Sequence, residues 1–278
     1  MTSFERAPGM ALLTVVLMGV SIGLTSPTDE IAPPPSAQQA KAALDGSPRH
    51  GEWVDIKGIR AWIVYPERKD KAPVVLVIHE IYGLSDWVRA VADQLAKEGF
   101  IAIAPDLISG KGPGGGGTDS AGTRDDVVKL VSGMPAQEVT DRLDLVRDHA
   151  RSLPASSGRI ATIGFCWGGT RSFAYAASWP GLGAAVVYYG TSPADPNALE
   201  SIKAPVLGLY GGDDARVNAT IDAADKEMKR LRKSYEHEIF EGAGHGFLRA
   251  QEDREGQNLK AARSAWPRTI AFLHRHLD

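Results

Sequence analysis

The spacing of apolar positions predicts strands alternating with helices from about residue 50 to the end of the chain. Continuous apolar runs such as 73–78 are typical of strands that are buried on both faces. The runs 53–56 and 59–65 alternate in polarity instead, which predicts an antiparallel pair near a sheet edge. Strands are predicted over residues 53–56, 59–65, 73–78, 101–104, 159–163, 184–189, 205–210 and 236–240.

Apolar positions that recur near every 3.6 residues predict the helices between these strands. A bend is expected near Pro267, because proline cannot donate a backbone hydrogen bond within a helix. Alternating strands and helices imply an α/β protein, with a mostly parallel central sheet and helices on both faces. Helices are predicted over residues 85–97, 139–153, 170–177, 219–233 and 261–277.

Length, composition and charge are those of an ordinary globular α/β domain. The chain has 278 residues, of which 43% are hydrophobic and 23% charged, and its formal net charge is −3. We assign residues 49–278 to one domain, since this length suits a single α/β unit. No long basic run is present, so neither nucleic acid nor an anionic membrane surface is expected as a partner.

The first 48 residues have a different character. Arg6 precedes a short apolar stretch over 10–20, which resembles a secretory signal peptide. We predict that residues 1–27 are a signal peptide or, alternatively, an N-terminal anchor, and that 28–48 form a disordered linker. The protein is then expected to be exported, periplasmic or secreted, or else anchored, with membrane contact only if the segment is retained.

The candidate nucleophile is Cys166, within the turn Gly164–Gly169. An apolar strand precedes this turn and a predicted helix follows it, as in the nucleophile elbow of α/β-hydrolases. Cys166 is also the only cysteine, so it has no intramolecular disulfide partner. The structural alternative is a free cysteine that serves as a small buried hydrophobe.

A base and an orienting acid should follow the nucleophile in the order nucleophile, acid, histidine. Asp213 and Asp214 follow the strand over 205–210, and we favour Asp214, the other being a turn or cap residue. His245 lies in a glycine-rich loop after the last strand, which makes it the candidate base. These residues and Glu80 all follow predicted strands, so one site at the carboxyl edge of the sheet is expected.

The chemistry of acyl transfer adds two backbone donors to this set. An oxyanion formed by attack of the Cys166 thiolate needs two N–H groups, for which we choose those of Trp167 and Ile81. A helix start and a nearby histidine would both favour the thiolate. No cluster of histidine or cysteine ligands suggests a metal, and no organic cofactor is implied.

Four motifs in this order resemble the dienelactone hydrolase family. The resemblance runs from about residue 50 to the end and implies a single α/β-hydrolase domain. The family's type activity is the opening of an enol-lactone, dienelactone, to maleylacetate. The motifs are His79–Leu84, Gly164–Gly169, Gly211–Asp214 and Gly244–Phe247.

The resemblance also implies roles for further residues. Glu80 matches a glutamate that contacts the resting thiol and helps to generate the thiolate when substrate binds. Arg249 matches an arginine that binds the substrate carboxylate, with Arg124 as its candidate partner. Tyr189 is a candidate pocket residue, as is its neighbour Tyr188, although both could equally belong to the core.

The sequence therefore predicts a cysteine-dependent hydrolase of small esters or lactones, including anionic ones. Alternatives are a general carboxylesterase or thioesterase with the same residues, or a non-catalytic binding protein on the same fold. The glycine-rich segment 109–117 is expected to be a flexible surface loop beside the pocket, because it lacks the pattern of a phosphate-binding loop.

Overall fold

An eight-stranded sheet forms the centre of the molecule. The computed structural model describes residues 1–3 and 31–278, and residues 31–278 form one compact unit. The predicted export segment lies outside the described residues apart from its first three, and it stays a prediction. The strands are β1 (Gly51–Ile56), β2 (Ile59–Val64), β3 (Ala72–Ile78), β4 (Ile101–Pro105), β5 (Ser156–Phe165), β6 (Ala184–Tyr188), β7 (Val206–Gly211) and β8 (Tyr235–Phe240).

The strand order is β1-β2-β4-β3-β5-β6-β7-β8. β2 pairs antiparallel with β1 and with β4, and every other pairing is parallel. Both the antiparallel edge and the mostly parallel centre agree with the sequence analysis. Because β3 to β8 run in one direction, their carboxyl ends open on one edge of the sheet, where the predicted site residues follow them.

Helices cover both faces of the sheet. Each strand at the centre alternates its side chains, so that Val75 and Val77 belong to one buried cluster and Val74 and Leu76 to the other. The helices are α1 (Ala40–Asp45), α2 (Asp86–Lys97), α3 (Arg124–Ser132), α4 (Ala136–Ser152), α5 (Trp167–Ser178), α6 (Pro196–Glu200), α7 (Ala215–Asn218), α8 (Ile221–Arg230) and α9 (Gln257–Leu277). No helix in the described ranges is long and apolar enough to cross a membrane.

One helix runs through a proline as predicted, and another was not predicted. α9, which was predicted over 261–277, contains Pro267 in its interior. α3 was not predicted, although Thr123 caps it in a reciprocal arrangement with Asp126: each side chain accepts a hydrogen bond from the other residue's backbone N–H. A Thr-x-x-Asp pattern before a helix was the available signal.

The predicted disordered linker over 28–48 is wrong from residue 31 onward. This part of the chain contains α1, and both Ser36 and Ala40 are fully buried. The Trp87 indole N–H of α2 donates to the carbonyl of Pro35 at 3.1 Å. Proline and alanine content suggested disorder, but these tertiary contacts order the segment.

Candidate active site

Cys166 stands at a sharp turn between β5 and α5. Its backbone has φ 55° and ψ −115°, a conformation that residues other than glycine rarely adopt. The Cys166 N–H donates to the carbonyl of Tyr188 at 3.0 Å, which ties the turn to the neighbouring strand. The strand, strained residue and helix have the form of a nucleophile elbow.

Two glycines allow this turn to pack against the sheet. A Cβ atom on Gly164 would lie 2.0 Å from the carbonyl oxygen of Gly168. A Cβ atom on Gly168 would lie 2.3 Å from the carbonyl oxygen of Ile78, at the end of β3. The first turn of α5 therefore touches the backbone of β3 directly, and it brings Cys166 close to the residues that follow that strand.

His245 and Asp214 are paired on the adjacent loops. Asp214 follows β7, caps α7 and is 7% exposed, and its Oδ2 atom lies 2.5 Å from His245 Nδ1. With a hydrogen on Nδ1 donated to the carboxylate, Nε2 is free to exchange protons with a thiol or water. Asp213, the other candidate acid, is exposed and pairs with Arg254 instead.

Glu80 is buried directly after β3, beside the elbow. Its Oε2 atom lies 2.8 Å from Arg249 Nε, an ion pair in which the Nε–H does not point squarely at the oxygen. Burial raises the pKa of Glu80 to about 7, although Arg249 and Arg124 both act to lower it. Glu80 is therefore a carboxylate whose charge responds to what its arginine partners bind.

The Cys166 thiol is protonated at rest. Burial, and then the nearby Glu80 carboxylate, raise its pKa to about 11. The backbone N–H groups of Trp167 and Ile81 and the charge of Arg216 oppose this rise in pKa. The two predicted oxyanion donors thus face the sulfur, and catalysis would require a change that removes the proton.

Arg124 and Arg249 both contact an aromatic ring that the sequence analysis did not single out. The guanidinium carbon of Arg124 is 3.7 Å from the Tyr82 ring centroid, and that of Arg249 is 5.3 Å away. Both distances suit cation–π contact. The feature of the sequence that could have identified Tyr82 is its position, two residues after Glu80 in the same loop.

Tyr189 does not line a pocket in this structure, contrary to the prediction. Its side chain has no exposed surface, so it offers no contact area to a ligand. The ring packs edge-on against the His245 imidazole with 5.2 Å between centroids, and it also contacts Phe247. Tyr189 therefore packs against the His245 imidazole from its buried side. Its hydroxyl has no hydrogen-bond partner among residues 31–278.

Thr118, in the turn that follows the segment 109–117, supports the loop after β3. The Thr118 hydroxyl accepts a hydrogen bond from the Leu84 N–H at 3.1 Å and donates to Asp106 Oδ1 at 2.8 Å. The Thr118 side chain also packs against Gly83. In the part of the chain that the structure describes, no group of three or more His, Cys, Asp or Glu side chains could hold a metal ion.

A second missed residue is Arg216, in the first turn of α7. It is exposed, and its charge acts to lower the pKa of Cys166. Its position two residues after Asp214 was the only signal in the sequence. The described site therefore combines one thiol, one imidazole, two buried carboxylates and a group of arginines.

Comparison with known proteins identifies the family. The family model of the dienelactone hydrolase family matches residues 59–277. The chain belongs to this family. It is 32% identical over 231 residues to a Salmonella typhimurium protein named as a carboxymethylenebutenolidase, with 78% of this chain and 82% of that protein covered.

Other relatives agree with this assignment. A Methylorubrum extorquens protein with the same name is 31% identical over 229 residues, covering 78% of this chain and 77% of the relative. A Klebsiella pneumoniae structure described as a dienelactone hydrolase superposes with a TM-score of 0.71 at 28% identity, covering 80% of this chain and 97% of that one. The predicted α/β-hydrolase fold is confirmed, and the family membership makes the chain a hydrolase.

Proposed function

We propose that this dienelactone hydrolase family member hydrolyses small esters or lactones through an acyl-enzyme on Cys166. The observation that carries the proposal is the Asp214–His245 pair, with 2.5 Å between Oδ2 and Nδ1, at the same carboxyl edge of the sheet as the strained elbow cysteine. A nucleophile, a base and an acid that orients the base are the minimal set for acyl transfer by a thiol.

The first chemical step is removal of the thiol proton. A substrate carboxylate that binds Arg249 competes with Glu80 for the guanidinium. Because Arg249 lowers the pKa of Glu80, weakening their ion pair makes the carboxylate a stronger base. Glu80 then accepts the proton from Cys166 Sγ, and the thiolate forms only when substrate is present.

Acylation and deacylation follow at the same carbonyl. The thiolate attacks the carbonyl carbon, and the N–H groups of Trp167 and Ile81 stabilise the oxyanion. The C–O bond to the leaving group breaks, and the leaving oxygen takes up the proton held by Glu80. His245 Nε2 then takes a proton from water, the hydroxide attacks the thioester, the C–S bond breaks, and His245 returns its proton to sulfur.

The substrates favoured by this site carry an anionic group. Arg249 and Arg124 both contact Tyr82, and both act on the charge of Glu80, so a carboxylate is the ligand group that suits them. A neutral ester would lack the charge that weakens the ion pair between Glu80 and Arg249. We therefore expect anionic esters or lactones to be turned over faster than neutral ones.

Turnover by the purified full-length protein tests the proposal. The panel is dienelactone, a neutral lactone, p-nitrophenyl acetate, the p-nitrophenyl monoester of succinate, and an acyl thioester. Cys166→Ala should lower kcat/KM by about 10³-fold or more, because the residual rate comes only from binding and oxyanion stabilisation. Acylation should be visible by mass spectrometry in the wild-type protein and absent in Cys166→Ala.

Turnover by Asp214→Asn is a second test of the proposal, and Asp213→Asn is its matched control. Loss of the carboxylate leaves the imidazole with the wrong tautomer, and we expect kcat to fall by about 10²- to 10³-fold. Asp213→Asn, which changes the exposed neighbour, should stay within about two-fold of wild type. Turnover by Cys166→Ala at the wild-type rate would refute the acyl-enzyme. If the wild-type protein hydrolyses no compound in the panel, a binding role is favoured.

A further inference from the structure

The segment 31–46 lies outside the part of the chain that matches the family, which begins at residue 59. We call it the N-terminal strap. It includes α1, and it contacts α2 and the loop between β8 and α9. That loop carries both His245 and Arg249, so the strap contacts the element on which two candidate site residues stand.

Contacts with α2 hold the strap on the domain. The Trp87 indole donates to Pro35 O at 3.1 Å, and Gln94 Nε2 donates to Ala32 O at 3.2 Å. Ala40 is fully buried in the same apolar cluster as Trp87. Trp87 in turn packs edge-on against Phe165, which precedes Cys166, with 4.9 Å between ring centroids. The strap therefore rests on a rigid part of the core.

Three hydrogen bonds connect the strap to the loop that carries Arg249. Gln251 Nε2 donates to Pro34 O at 2.8 Å, and the Ser36 hydroxyl bonds to the Glu252 carboxylate. The Ala37 N–H donates to the backbone carbonyl of Arg249 itself at 2.9 Å. Because these bonds involve three residues within four positions, the strap fixes this short stretch of loop.

The backbone of Arg249 is thus held from two sides. Its N–H donates to Gly246 O at 3.0 Å within the loop, and its carbonyl accepts from the strap at 2.9 Å. Its side chain extends to Glu80 and over Tyr82. We propose that the N-terminal strap positions Arg249, and that it thereby sets the preference of this enzyme for anionic substrates.

The proposal rests on the proposed function, in which Arg249 binds a substrate carboxylate. A guanidinium recognises a carboxylate through directed N–H bonds, so its position must be held closely. Without the Ala37 bond, the Arg249 carbonyl would bond to water and the loop would gain freedom. Neutral esters do not use the guanidinium, and their turnover should not depend on the strap.

Ala37→Pro in the full-length protein is the sharpest test. Ala37 is exposed and is the second residue of the turn Ser36–Gln39, a position that proline favours, so the change removes mainly the N–H. We expect KM for the p-nitrophenyl monoester of succinate to rise about five-fold, as for loss of one hydrogen bond. The kcat and KM for p-nitrophenyl pentanoate, a neutral ester of similar length, should stay within about two-fold.

Ala37→Ser, which keeps the N–H, is the matched control and should behave as wild type. The ratio to compare is KM for the anionic ester over KM for the neutral ester. If the proline variant does not fold, Ser36→Ala removes the bond to exposed Glu252 and should raise this ratio by about two-fold. Arg249→Ala, measured in parallel, should raise KM for the anionic ester by about ten-fold or more.

The outcomes separate the strap from the proposed function. A selective rise in the anionic KM with Ala37→Pro and not with Ala37→Ser supports the strap. An unchanged ratio in Ala37→Pro, while Arg249→Ala shifts it, overturns the strap and leaves the proposed function intact. An equal loss on both esters also overturns the strap. If Arg249→Ala leaves the ratio unchanged, the carboxylate anchor itself is wrong and the strap proposal fails with it.

Discussion

The two halves of the candidate site are built in different ways. The elbow around Cys166 consists of contiguous residues, and close backbone packing at Gly164 and Gly168 fixes its geometry. The second half, the arginine–glutamate cluster, consists of Glu80, Tyr82, Arg124 and Arg249. These residues come from two separate loops and the start of α3, and side-chain charge and stacking hold them together. Under the proposed function, the nucleophile is therefore a local feature of the chain, and substrate selection depends on tertiary contacts.

Burial raises the pKa of an acidic group in each half of the site, and to a higher value in the elbow. Burial raises the pKa of Cys166 to about 11 and that of Glu80 to about 7. At rest the proton therefore stays on sulfur, since the carboxylate is much the weaker base. The cluster can change this order because Arg249 is shared between Glu80 and a bound anion. In the proposed mechanism, the elbow provides the reactive atom, and the cluster controls when it becomes reactive.

The largest effect should come from breaking the elbow with Gly168→Ala. The new Cβ would lie 2.3 Å from Ile78 O and 2.4 Å from His79 O, so the start of α5 or the end of β3 must move. We expect about 3 kcal/mol of lost stability, at the upper end for overpacking, and loss of most activity. Thermal unfolding and kcat/KM on p-nitrophenyl acetate measure the two effects.

Gly46→Ala is the matched control for this substitution. A Cβ at Gly46 would meet only Ala42 O at 3.5 Å, an ordinary contact, and we expect wild-type behaviour. A Gly168→Ala protein with wild-type stability and turnover would show that the elbow is not defined by backbone contact.

Glu80→Gln should separate stability from function in the cluster. Burial raises the pKa of Glu80 from 4.5 to about 7, so the folded protein binds this proton more tightly than the unfolded chain. The associated stability is present below pH 4.5 and is lost as the pH rises through 7. We therefore expect Glu80→Gln to be more stable than wild type at pH 8, by about 2 kcal/mol, with the difference shrinking towards pH 5.

Turnover by the same variant should change in the opposite direction. Without a base for the thiol proton, kcat for the succinate monoester should fall by about 10- to 100-fold. We also expect kcat/KM of the wild-type protein to rise between about pH 6 and 8, as Glu80 of the free enzyme ionises, and this rise should be absent in Glu80→Gln. Glu67→Gln, which alters an exposed glutamate, serves as control. Lower stability of Glu80→Gln at pH 8 would contradict the assignment of Glu80 as a carboxylate strained by burial.

The smallest effect should come from trimming the cluster with Tyr82→Leu. This change removes the ring that contacts Arg124 and Arg249, and with it two cation–π contacts. We expect KM for the anionic ester to rise about three-fold, with neutral esters unaffected. Tyr82→Phe keeps the ring and should restore the wild-type KM. An equal effect of the two substitutions would implicate the hydroxyl instead of the ring.

Local features of the sequence were sufficient for the fold and for the elbow. Continuous apolar runs predicted the buried strands, and alternating apolar and polar positions predicted the antiparallel edge. Both patterns are visible in the sequence because the burial of a strand restricts which residue types it can contain. The prediction failed at 31–48, where the Pro-rich composition suggested disorder. It also missed α3, since neighbouring elements decide whether such a segment is helical.

By itself, the sequence determined the α/β class, the strand–Cys166–helix turn and the order in which Asp214 and His245 follow it. These depend on periodicity and on contiguous residues, so they can be recognised locally. Only the tertiary structure decided which aspartate pairs with His245, that Tyr189 is buried against the imidazole, and that two arginines contact the Tyr82 ring. Such contacts join residues far apart in the chain, and burial in the folded protein sets their energies and protonation.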